Sequence, residues 1–317
     1  MSFFPCSHGK RVFLKVIIMK HKLTAAEREE EVAGYLFLLP NFLGTCLLIF
    51  LPIFITLTMG FSQYNIVKGL SGMKFVGLKN FASLIYNERF LAALKNNIVY
   101  TFTTVPLTVG CALLLAAILN KSIYGKEIAR AMFFMPYVSS MVAISVVFNV
   151  LFYPNGGPIN GILSALGVKN PPGWFIDKDW AMVGLIIMAI WYQCGYYMII
   201  LLAGMQNVPQ SRYEAAELDG ANAWQKFIHM TVPGISPTLF FVIVIATINS
   251  FKVFDQINII TKGGPGYATT VLVYEIYRNA FTEYNFGVAS AIAWVLLLIV
   301  VLLTALQWKG QKKWVNY

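Results

Sequence analysis

The sequence predicts an all-α integral membrane protein of about six transmembrane helices. Three observations lead there. Hydrophobic residues make up 58% of the 317 positions and charged residues only 12%, with a mean hydropathy of +0.66, outside the range of soluble domains. Apolar runs recur at the length of about 20 residues that a helix needs to cross the hydrocarbon core. Between them lie YPNGGP (153–158), NPPGW (170–174) and TKGGPGY (261–267), whose Gly and Pro end helices and set turns.

In chain order the spans fall at approximately 33–61, 97–119, 130–152, 180–206, 235–256 and 286–308. Six crossings return both ends to one side. Residues 1–32 form a cytoplasmic segment, 33–308 the six-span domain with a loop at 207–234, and 309–317 a cytoplasmic tail. The segments assigned to the cytoplasm hold more Lys and Arg than the opposite loops, which orients both termini inward. The bias is moderate, because the 62–96 loop carries Lys68, Lys74, Lys79, Arg89 and Lys95. The basic, partly amphipathic run at 12–19 is short and interrupted by Lys15, which suits a segment near the lipid surface or a tail of little structure better than a cleaved signal. Tyr35, Tyr64, Trp174, Trp180 and Trp308 stand near span ends, as interfacial anchors do.

The net charge of +10 does not point to nucleic acid, because the basic residues flank apolar runs. Cys46, Cys111 and Cys194 lie inside such runs and Cys6 has no spaced partner, so neither a disulfide framework nor a zinc site follows. Gly125-Lys126 continues with Glu127, and Gly9-Lys10 with Arg11, so no phosphate-binding GxxxxGK[ST] loop is present. HExxH and GxSxG are missing and His8, His21 and His229 are scattered, which leaves no basis for a membrane-embedded enzyme. Spans three, four and six contain a single ionisable group, Arg130. That counts against a stand-alone secondary carrier or channel driven by buried acids, the alternative from another class.

The most informative stretch is EAAELDGANAWQKFIHMTVP, residues 214–233. Ser211 and Glu214 fit the S-x-x-E capping box, so a short helix is expected to start at Ser211. Gly220 can take the left-handed conformation that ends a helix, and Asn222 can cap a second one running toward Pro233. The result is a cytoplasmic elbow with Ala215 and Ala216 keeping its profile thin. By spacing alone, capping and turn formation would explain these residues as well as a docking role.

EAAELDGA followed by Phe227, Pro233 and Pro237 resembles the EAA loop of ABC-importer permeases at every fixed position. ITKGGPGYATTVLVYEIYRNAF (260–281), GYLFLLPNFLGT (34–45) and VGLKNF (76–81) resemble the sugar permeases of the maltose-transporter type, so the likeness covers nearly the whole chain after about residue 30. It implies a type I ABC importer (MetI-like) permease fold in a bacterial cytoplasmic (inner) membrane. The implied partners are a second homologous permease, two cytoplasmic ATPase subunits, an extracytoplasmic solute-binding protein and a carbohydrate, an oligosaccharide. ATP and Mg would be bound by the ATPases, and no cofactor by this chain. The resemblance also implies a coupling role: Glu214 contacts the ATPase, Ala215 and Ala216 allow close packing, Asp219 and Gly220 shape the turn, and Pro233 sets the exit into span five.

A substrate path is expected near the end of span five and in span four. On a helix Asn249, Lys252 and Gln256 share a face, and Lys252 and Asp255 are three apart. A lone charge costs about 2.5–3.5 kcal/mol at the bilayer centre and less nearer its edge, so either a wet path or an interfacial ion pair accounts for Lys252 and Asp255. Trp191, Tyr192, Gln193, Tyr196 and Tyr197 can stack on sugar rings and bond hydroxyls, or can pack a core. Gly195 and Gly204 permit close helix approach.

Overall fold

The structure is a computed structural model that describes residues 25–64, 73–120, 124–312 and 314–315. The run at 12–19 and Cys6 lie outside these residues. The chain divides into two compact units, Met1–Thr56 and Leu57–Tyr317.

From the first unit, α1 (Ala25–Thr45) passes through a wide π-type turn at Cys46–Phe50 into α2 (Leu51–Gly60), whose last turn, from Leu57, belongs to the second. Together they give a continuous helix, Arg28–Gly60, of 33 residues. Backbone polar groups in lipid can be satisfied only within the segment, so the helix persists through Pro40. The wide turn falls just before Pro52, which has no N–H to donate.

The second unit is organised around α4 (Glu88–Leu119) and α8 (Ala181–Gln206). Asn87 caps α4 by accepting from the Phe90 N–H at 3.0 Å. The helix therefore begins more than two turns before its apolar run. Val105, Val109, Ala112 and Ala116 of α4 pack against Met198, Leu201 and Met205 of α8. Ala112 and Ala116 are fully buried, as expected where close backbone approach replaces the hydrophobic drive between helices in lipid.

The third span is not one straight helix, contrary to the expectation for 130–152. It consists of α5 (Lys126–Val138) and α6 (Met141–Leu151), bent by 98°. Pro136 removes a donor from the last turns of α5, and Ser139 and Ser140 are extended, with ψ of 154° and 126°. The Ser139 hydroxyl turns back to the Met135 carbonyl at 3.1 Å. α5 crosses α8 at Gly195, where a Cβ would sit 1.8 Å from the Phe133 carbonyl oxygen.

The fifth span is also shorter than expected. α11 (Ser236–Phe251) stops at Phe251 and is bent by 73° from the helical segment before it. Among the described residues, four helices are long and apolar enough to cross a membrane, or up to six if each bent pair forms one span.

At the end far from the 207–234 loop, β1 (Ser62–Gln63) pairs antiparallel with β2 (Lys74–Phe75). Beside them lie α3 (Lys79–Ile85) and the start of α13 (Phe286–Gln311), with α12 (Leu272–Tyr277) packed on α13, whereas α7 (Pro158–Ala165) packs on α6. Leu84, Phe90, Leu272 and Ile292 form a core there. Asn160 joins two loops by donating to the Pro154 and Pro172 carbonyls at 3.0 and 2.9 Å and accepting from the Trp174 indole N–H at 2.6 Å.

Candidate functional site

The elbow is built from α9 (Gln210–Leu218) and α10 (Ala223–Lys226). Its first cap differs from the sequence expectation. α9 starts one residue before Ser211, and Pro209 (φ −57°, ψ 129°) occupies the capping position with no side-chain cap. Ser211 is already helical, so its hydroxyl cannot take the orphan donor that a non-helical cap residue reaches. The capping box lies instead on α10. The Asn222 side chain accepts from the Gln225 N–H at 2.9 Å, and Gln225 Oε1 accepts from the Asn222 N–H at 2.8 Å.

Gly220 has φ +76°. Its N–H reaches the Glu217 carbonyl at 3.0 Å and the Ala221 N–H reaches the Ala216 carbonyl at 2.9 Å, the paired bonds of a Schellman turn. Lys226 pairs with Glu217 at 2.5 Å, and the Tyr213 and Thr231 hydroxyls meet at 3.1 Å, so the two helices are tied across the turn. Ala216 is buried, whereas Glu214, Ala215, Asp219 and Gly220 are exposed. The last three and Ala216 line a concavity of about 490 Å³ together with Arg212 and His229. Pro233 sits in the turn Val232–Gly234 just before the 73° bend.

A second site, of about 220 Å³, lies at the break in the third span. Tyr137 and Met141 line it from the two sides of the break, Tyr100 from α4, and Tyr192 and Gln193 from α8. Asn249, Lys252, Asp255 and Gln256 complete it, although they do not share one helical face. α11 ends at Phe251, and Lys252 lies in a turn with φ −92° and ψ 7°. Gln256 donates to the Tyr100 hydroxyl at 2.7 Å and Asn249 to the Tyr197 hydroxyl at 3.3 Å. Lys252 and Asp255, both exposed, form no ion pair with each other among the described residues.

The span-four aromatics divide. Tyr192 donates to the Tyr137 carbonyl at 3.2 Å, and Tyr196 stacks on Tyr137 with centroids 4.2 Å apart. Tyr197 is buried in the α4–α8 core, its hydroxyl bonded to Gln193 at 3.1 Å. Trp191 lies elsewhere, against Phe148 and in a separate apolar groove with Cys194 and Gly195.

Residues 35–312 match the family described as the binding-protein-dependent transport system inner membrane component. The chain belongs to this family. The permease is 35% identical over 300 residues to the "Probable ABC transporter permease protein YesP" of Bacillus subtilis (strain 168), covering 93% of this chain and 96% of the relative. It is 34% identical over 295 residues to the lactose transport system permease protein LacF of Rhizobium radiobacter, covering 92% and 97%. Its fold matches a chain in the crystal structure of a bacterial ABC transporter involved in the import of the acidic polysaccharide alginate, with a TM-score of 0.79 at 23% identity over 90% of this chain and 96% of that one. The type I importer permease fold expected from the sequence is thus the fold observed. The chain is a multi-pass transport subunit that works with a solute-binding protein, not an enzyme.

One cluster in the permease escaped the sequence reading. Glu275 is 1% exposed and lies between two guanidinium groups, Arg278 at 2.7 Å and Arg89 at 3.4 Å. The Thr270 hydroxyl donates to it at 2.8 Å, and Arg278 also pairs with Glu283. Burial alone would lower the Arg278 guanidinium, but hydrogen bonding and charge from Glu275, with Glu283 adding to them, hold it above its ordinary value. The available signal was the i,i+3 spacing of Glu275 and Arg278 inside an apolar run. Nothing local pointed to Arg89.

Proposed function

We propose that this chain is a membrane-spanning subunit of a type I ABC importer that moves a carbohydrate, an oligosaccharide, into the cytoplasm by alternating access. It pairs with a second homologous permease, two ATPase subunits bind on the cytoplasmic side, and a sugar-loaded binding protein docks on the other. ATP and Mg belong to the ATPases. Residues 1–32 and 309–317 are cytoplasmic, as is the 207–234 loop. The observation that carries this reading is the elbow: a cross-braced helix–turn–helix on which Glu214 is exposed and Ala215, Asp219 and Gly220 line one concavity. A rigid lever of this kind can transmit closure of a nucleotide-driven neighbour through the turn at Pro233 to the fifth span, which follows the bend.

The polar cavity at the break supports a sugar path. Phenol and amide groups converge there, and Lys252 and Asp255, exposed and without an ion pair among the described residues, carry opposite charges on its wall. On this reading Tyr192, Gln193, Asn249, Lys252, Asp255 and Gln256 contact the sugar, Tyr196 and Tyr197 support them, and Trp191 does not take part. The test is the assembled complex in nanodiscs. Glu214→Ala and Gly220→Pro are expected to depress binding-protein-stimulated ATP hydrolysis without loss of assembly. Full stimulation in both variants would remove the elbow from coupling.

A further inference from the structure

We infer that the cleft between the end of α4 and the elbow holds one phospholipid with a zwitterionic, ammonium-bearing head. Its phosphate lies on Lys226, its ammonium on Glu217 and an acyl chain along α4. The inference rests on the importer reading above only for the leaflet, which is the cytoplasmic one.

The cleft measures about 460 Å³. Its deep wall is apolar, with Leu114, Ala117 and Ile118 from α4 and Met205 from α8. Polarity then changes along α4. Asn120, the cap that ends the helix, lies about 9 Å beyond Leu114 at the helical rise, and the elbow completes the wall with Gln210, Glu217, Trp224 and Lys226. A wall that is apolar within the span and turns charged where the helix stops matches a lipid passing from hydrocarbon to head-group layer. Leu107, Cys111, Leu114 and Ile118 are exposed at i, i+4, i+7 and i+11. The apolar wall therefore continues as one face of the span, along which an acyl chain enters from the side.

The polar end fits a head group. Lys226 and Glu217, paired at 2.5 Å, set an ammonium beside a carboxylate, the reverse of a phosphate followed by an ammonium. Four alternating charges satisfy one another, whereas a purely anionic head would compete with Glu217 for Lys226. The Asn120 and Gln210 side chains form no hydrogen bond among the described residues, which leaves two amides for phosphate and ester oxygens. Trp224 is 62% exposed and stacks on Phe227 with centroids 5.6 Å apart, and an indole so exposed at a span end suits the lipid interface. The cleft is also distinct from the concavity assigned to coupling. Gln210, Tyr213 and Glu217 follow at i, i+3 and i+7 on one face of α9, and Arg212, Ala215 and Asp219 occupy another.

The experiment places the assembled complex in nanodiscs of mixed ethanolamine, choline and glycerol phospholipids and reads the retained lipid by native mass spectrometry. Wild type is expected to keep ethanolamine over choline heads by about tenfold, because a trimethylated ammonium has no N–H to give Glu217. Glu217→Gln is expected to turn the choice toward anionic glycerol heads, since Lys226 is left without its carboxylate, a reversal that a loss of packing would not produce. Ala117→Phe, which fills the acyl end, is expected to lower retention about tenfold. A photoreactive benzoylphenylalanine placed at Trp224 is expected to cross-link to phospholipid, and it carries the test if Glu217→Gln or Ala117→Phe fails to assemble. An unchanged head-group ratio in Glu217→Gln, or cross-links from position 224 to an ATPase or the second permease in place of lipid, would overturn the site. The readout is bound lipid and not ATP hydrolysis, so a failed importer reading would not pass for a failed cleft.

Discussion

At Gly195 the backbone of α5 occupies the space a methyl group would need, 1.8 Å from where a Cβ would sit. The obstruction is a backbone carbonyl, so no rotamer change relieves it, and Gly195→Ala is expected to cost about 1–3 kcal/mol as an overpacked substitution does. A lowered thermal midpoint of the purified chain would show it, and an unchanged midpoint would mean that the crossing is looser than described. Asn160 makes the same kind of point with polar groups. Asn160→Ala would strand the Pro154 and Pro172 carbonyls and the Trp174 indole, at about 1–3 kcal/mol for each buried group left without a partner. Denaturation followed through Trp fluorescence is the measurement. The sequence shows that Gly195 allows close approach, but not that Phe133 is what approaches, because that residue belongs to another span.

Among the elements, the elbow carries its capping box at the second helix, where the sequence reading named only a cap, and not at Ser211, where it expected the box. Ser211-x-x-Glu214 and Asn222-x-x-Gln225 both fit the box, yet only the second forms. Pro209 decides the matter by taking the extended backbone position ahead of α9, which leaves Ser211 inside the helix. Asn222→Ala is therefore expected to lower elbow stability by about 1 kcal/mol, and Ser211→Ala to leave it within about 0.5 kcal/mol. Hydrogen exchange over 210–231 would separate the two, and equal losses would restore the rejected box. The Gly220 turn was legible in advance, because a helix ending on a glycine follows from backbone sterics within a few residues. Its left-handed φ of +76° predicts that Gly220→Ala costs about 1 kcal/mol, seen in the same exchange experiment.

For the whole molecule, the break in the third span and the early end of the fifth create the polar cavity together. Neither span alone contains it. Lys252→Cys, in a background without native cysteines, is expected to react with a water-soluble thiol reagent in the assembled complex and to be protected by the transported sugar. Trp191→Cys, on the far side of α8, is expected to show no such protection. Sugar protection at Trp191→Cys and none at Lys252→Cys would move the path to the apolar groove. The sequence by itself determined the membrane class, the family and the turn chemistry of the elbow. Each depends on hydropathy or backbone sterics within a short window, or on a motif read in order. Only the tertiary structure decided the 98° bend, the parting of Trp191 from its neighbours and the Glu275 clamp. The clamp joins Arg89 to Glu275 across most of the chain, and no local pattern encodes which distant groups will meet when long helices pack.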